Sequence, residues 1–183
     1  MDALYNLADV ILRFLNSSPG LPISLVYLAI AAIPVTLLHE LGHAVTARRL
    51  LGGDVAISVG TVGQLAEMRL GQIALSINAL SHPGSASGVA EFDDSRATAR
   101  DILLIALAGP AASLVGTAFT AWALSAASPS GALHGLLWAA TLAGAFGVLN
   151  LVPLTIQDRR DGPSTRTDGR LALDALRVAR ALR

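Results

Sequence analysis

The sequence predicts a mainly α membrane protein with three transmembrane helices, N- and C-terminal interfacial amphipathic helices, and a small β hairpin or sheet between spans 1 and 2. Three observations carry that expectation. Of 183 residues, 53% are hydrophobic and only 14% charged, with a mean hydropathy of +0.59, unlike a soluble domain of this length. Uncharged stretches recur that are long enough to cross ~30 Å of hydrocarbon. The charge is also unevenly placed: twelve of the thirteen arginines fall within 48–100 and 159–183.

In chain order, residues 3–16 place Leu4, Leu7, Ile11, Leu12 and Leu15 at helical spacing among polar positions. This predicts an interfacial helix too short and too polar to span. Ser17-Ser18-Pro19-Gly20 breaks it. Pro22 suits a first helical turn, and span 1, residues 22–51, emerges at Arg48 and Arg49. Pro34 within it either kinks the helix or is tolerated, as prolines in membrane helices are.

From Gly52-Gly53 the composition changes. Residues 54–59, 72–77 and 88–92 read as short strands in a β-rich interfacial region, 52–100, which serves either as an edge for an extended chain or as a connector. Span 2, residues 102–128, has no charge over 27 positions and places Gly109 and Ser113 at the spacing that lets helices approach closely. After Ser128-Pro129-Ser130-Gly131, span 3 covers 132–153, with His134 and Asn150 its only strongly polar side chains. Residues 154–167 read as an exposed loop. Residues 168–183 read as an amphipathic helix directing Arg170, Arg177, Arg180 and Arg183 to anionic headgroups.

These elements make a single membrane-embedded domain, 1–183, for which neither a cleavable leader nor an appended regulatory domain is expected. Three spans place the end of span 1, the 52–100 region and the tail on one face, which the arginine excess assigns to the cytoplasm. The expected location is a bacterial inner membrane. Nothing in the charge pattern suggests nucleic-acid binding.

The chemistry centres on His39-Glu40-Leu41-Gly42-His43 at the end of the uncharged run 21–38. Four residues along a helix bring two imidazoles to the same face, where they can share one metal ion. Glu40 can reach a water on that metal without being a ligand, the arrangement of a zinc metalloprotease with a carboxylate general base. The chain has no cysteine, so zinc would need histidine and carboxylate ligands. His134 falls at the opposite membrane face and His82 in a turn beside Pro83-Gly84; neither is taken as a ligand.

A catalytic zinc needs a third protein ligand, and the tail offers Asp158, Asp161 and Asp168. Asn150 is a second candidate, because an amide near the end of a membrane helix is costly unless it is used. Its alternative is an interhelical hydrogen bond.

Taken together, His39 to His43, Gly109 to Ser113, and Asn150-Leu151-Val152-Pro153 followed by Asp-Gly resemble, in order, the motifs of the site-2 protease family of intramembrane metalloproteases. The resemblance covers about 22–175. It departs from the compact family pattern at Asp158, which Arg159 follows instead of glycine. The resemblance implies an endopeptidase acting on a transmembrane segment of another protein, with Zn2+ bound by His39, His43 and Asp168, Glu40 as general base, and Asn150 binding the substrate backbone or the oxyanion. Asp168 is preferred because Thr167-Asp168-Gly169 opens a helix; an aspartate there can also simply cap it. The expected partners are the bilayer, the substrate and a second copy of the chain. A non-hydrolysing, chaperone-like relative and a metal-handling protein are the alternatives.

Overall fold

A computed structural model describes residues 12–13, 16–80, 87–127, 129–157 and 164–181. It is mainly helical, with α1 (Leu21–Leu51), α2 (Ala99–Ala126), α3 (Gly131–Leu149) and α4 (Asp168–Ala181) among the described residues. The first three are long and apolar enough to cross a membrane. Their outer surfaces expose Ile23, Val26, Ile30, Leu114, Val115 and Phe119, as expected of helices that need an apolar surrounding on every side. The predicted helix 3–16 lies outside the described residues apart from 12, 13 and 16, as do His82, Asp158, Asp161 and Arg183.

The helix ends follow local rules. Pro22 occupies the first turn of α1, which runs unbroken through Pro34, and Gly52 terminates it at φ 73°, with its N–H bonded to the Arg48 carbonyl. The α2 helix starts at Ala99 rather than at 102. Thr98 and Asp101 form a capping box in which the Thr98 hydroxyl accepts from the Asp101 N–H and the Asp101 carboxylate accepts from the Thr98 N–H. Arg100 and Asp101 therefore lie inside the first turn, which an uncharged-run rule excludes. Thr98→Ala is expected to cost ~1 kcal/mol, read as a fall of about 2–4 °C in the thermal midpoint. The α3 helix ends at Leu149 rather than at 153, because the Asn150 N–H bonds back to Gly147 and Val148 and the chain turns ahead of Pro153.

Between α1 and α2 lie β1 (Val55–Val59), β2 (Val62–Leu70), β3 (Ile73–Ala79) and β4 (Gly88–Phe92), in the order β2-β3-β1-β4. The β1 and β3 strands run parallel, Ile57 opposite Leu75; the other neighbours are antiparallel, with Ile57 opposite Ala90 on β4. Three of these strands match the expected ones; β2 is additional. Its Ala66-Glu67-Met68-Arg69 are good helix formers, so its extended state comes from pairing with β3 and not from composition. Alternation along β1 turns Val55, Ile57 and Val59 into a core with Leu75 and Ala44, against Ile33, Leu37 and Leu41 of α1. The sheet is thereby fixed to the part of α1 that carries the histidines. Ile57→Ala is expected to cost roughly 2–5 kcal/mol, measured as a lowered unfolding midpoint in detergent.

The expected loop 154–167 contains a short antiparallel pair, β5 (Thr155–Gln157) and β6 (Ser164–Arg166). Beyond it, α4 buries Gly169, Ala172 and Ala175, and the helix packs on α2. Arg166, Arg170 and Arg177 surround Asp174 at 3.6, 3.2 and 3.5 Å.

Candidate metal centre

His39 and His43 are one turn apart on α1, and both are buried. Their rings meet edge to face with centroids 4.9 Å apart, and their Nε2 atoms are 3.2 Å apart. Each Nδ1 is engaged by α2. The His43 Nδ1–H donates to the Ile105 carbonyl at 2.7 Å, while the His39 Nδ1 hydrogen-bonds the Ser113 hydroxyl at 2.8 Å. An Nδ1–H that donates outward leaves the Nε2 lone pair facing inward, the outer-shell arrangement that orients metal-binding histidines. A Cβ on Gly109 would overlap the His43 imidazole, so the absence of a side chain there gives the ring its place.

Asp168 completes the group. Its Oδ2 lies 3.0 Å from His39 Nε2 and its Oδ1 3.3 Å from His43 Nε2. The first turn of α4 is held on the turn after α3 by backbone bonds on both sides of Asp168. The Thr167 N–H donates to the Leu154 carbonyl at 3.1 Å, and the Gly169 N–H to the Asn150 carbonyl at 2.8 Å. The Thr167 hydroxyl donates to the Val152 carbonyl at 2.7 Å. Helix capping falls to Thr167, whose carbonyl accepts from the Arg170 and Leu171 N–H groups, and the Asp168 carboxylate is left for the histidines.

The three side chains fit a metal ion. Two imidazole lone pairs and a carboxylate converge on one point, and acceptors so placed repel one another unless a cation lies among them. Bonds of ~2.0–2.1 Å in a tetrahedron require ligand atoms about 3.3 Å apart, close to the 3.0–3.3 Å separations found here. His39, His43 and Asp168 can therefore hold a metal ion.

Glu40 is buried beside this group, and Gly88 at the start of β4 lies so close to it that a Cβ there would come within 2.6 Å of Glu40 Oε1. Asn150 lines the same cleft as His39 and Glu40, and its carbonyl anchors Gly169. His134 is remote from the group, with its Nε2 hydrogen-bonded to the Ser17 carbonyl at 2.8 Å.

In the sequence Ser113 stands out as a small residue at close-packing spacing and as part of the motif order, without a contact to His39, and Ile105, Thr167 and Gly88 carry no functional signal. A hydroxyl in the Gly109–Ser113 pair was the available signal for Ser113; a backbone carbonyl such as that of Ile105 leaves none. Ser113→Ala is expected to weaken metal binding ~10–100-fold, measured by calorimetric titration with zinc. Neither protein-family models nor curated protein sequences match this chain.

Proposed function

We propose that this protein is a zinc-dependent intramembrane endopeptidase that cuts the transmembrane segment of another membrane protein near the cytoplasmic side, in the manner of the site-2 proteases that its motifs resemble. The observation that carries the reading is the convergence of His39, His43 and Asp168 beside Glu40, at the far end of a helix able to cross a membrane. His39 lies about 27 Å along α1 from Leu21 at 1.5 Å per residue, comparable to the ~30 Å of a hydrocarbon layer, which supports a site near one membrane face.

Zinc held by His39, His43 and Asp168 would supply Lewis acidity, which lowers the pKa of a water toward ~7 and polarises a carbonyl. Glu40 accepts the proton as water oxygen bonds to the carbonyl carbon, then delivers it to the departing amine as the C–N bond breaks. A carboxylic acid and an amine result, and Glu40 is regenerated. Asn150, which lines the same cleft, is the residue we assign to donate its side-chain amide to the carbonyl oxygen as negative charge develops there. The β4 edge beside Glu40 offers main-chain partners to a substrate unwound from its helix.

The test uses purified protein in detergent. About one zinc per chain and cleavage of a membrane-spanning peptide that stops on chelation and returns with zinc are expected. Zinc-free protein, or cleavage indifferent to chelation, rules the reading out.

A further inference from the structure

A cleft of about 650 Å³ opens beside His39 and Glu40 between α1 and α3, with Ser113 of α2 also in its wall. That is within the ~300–1,000 Å³ of ligand-binding clefts. Its far part is apolar: Leu28, Ala32 and Val35 recur at helical spacing on the α1 face that also carries His39, and Ala143 and Phe146 face them from α3. The polar lining is concentrated at the other end, where Glu40, Ser87 and Asn150 lie.

The two helices meet alongside this arm, where Ala31 of α1 forms one cluster with Trp138 and Ala139 of α3, and Leu28 packs against it. Small side chains set its width, since Ala32 and Ala143 stand where larger ones would close it. Phe146 is 62% exposed at the rim.

We infer that this arm is the subsite for the apolar part of the substrate on the hydrocarbon side of the scissile bond, held extended between α1 and α3, with Ala143 and Phe146 deciding what enters. The inference rests on the protease reading above, because it is the continuity of the arm with His39 and Glu40 that makes an unwound peptide its occupant. From His39 to Leu28 the helix advances about 16 Å, room for about five extended residues at ~3.3 Å each. The ligand class is therefore a short run of apolar residues with no charge. A charged residue in the arm would find no partner among Leu28, Ala32, Val35, Ala143 and Phe146.

The experiment uses the full chain in detergent with cobalt in the site and two probes, acetohydroxamate and an N-blocked trileucyl hydroxamate, each followed by the visible cobalt spectrum. In the parent both probes should shift the spectrum, the peptide binding at least ~10-fold more tightly. Ala143→Trp should leave the acetohydroxamate affinity unchanged and weaken the peptide at least ~10-fold. Phe146→Ala, an exposed position that cannot compromise folding in the same way, should weaken the peptide ~3–10-fold and leave acetohydroxamate unchanged. Equal peptide affinity in parent and both variants overturns the subsite. Failure of the parent to take up cobalt is a different result: it removes the metalloprotease reading, and this inference with it.

Discussion

Glu40→Gln is expected to retain metal at parental affinity while peptide hydrolysis falls by ~10²–10⁴-fold, the usual contribution of a positioned general base. Glutamine keeps the shape and a carbonyl acceptor but cannot take a proton from water. Glu40 is buried against Gly88, so a near-isosteric change keeps the contact that a truncation to alanine would empty. The pair of readouts is decisive because the group able to hold an ion is His39, His43 and Asp168, without Glu40. Parental turnover in Glu40→Gln would disprove the mechanism. Lost metal would mean that Glu40 is itself a ligand. The same variant offers a route to the natural substrate, since a segment bound in the cleft and left uncut can be recovered with the protein.

How much of this was legible in the sequence depended on the distance over which each signal acts. The His39–His43 pair is a local consequence of helical spacing, and the apolar runs that became α1, α2 and α3 are local too. Asp168 lies 129 residues from His39, and no periodicity links them. It could be favoured over Asp158 and Asp161 only because Thr167-Asp168-Gly169 opens a helix and matches a known motif order. The backbone ties that fix it, from Thr167 to Leu154 and from Gly169 to Asn150, have no side-chain signature. The β2 strand was missed for a related reason: its extension is imposed by β3 against its own composition. Helix ends were misplaced where capping, at Thr98 and Asn150, overrode hydropathy.

Asp168→Ala is expected to weaken metal binding by more than ~100-fold, beyond the loss typical of an outer-shell partner, and to abolish hydrolysis with it. Two imidazoles alone do not make a catalytic zinc site, and among the described residues no other carboxylate joins the group. Because Asp168 is the first residue of α4, a loss of metal could reflect either the missing carboxylate or an undocked helix. Gly169→Val separates the two. A Cβ at Gly169 would overlap the Leu151 carbonyl, so the valine variant keeps the carboxylate but drives the start of α4 off the turn after α3. Asp168→Ala leaves the Thr167 and Gly169 backbone bonds available and should protect α4 from limited proteolysis as well as the parent does. Gly169→Val should lose metal and protection together. If Asp168→Ala binds zinc at parental affinity, Asp168 is not a ligand and the site as drawn is wrong. If Gly169→Val binds as the parent does, the docking of α4 does not hold the third ligand in place.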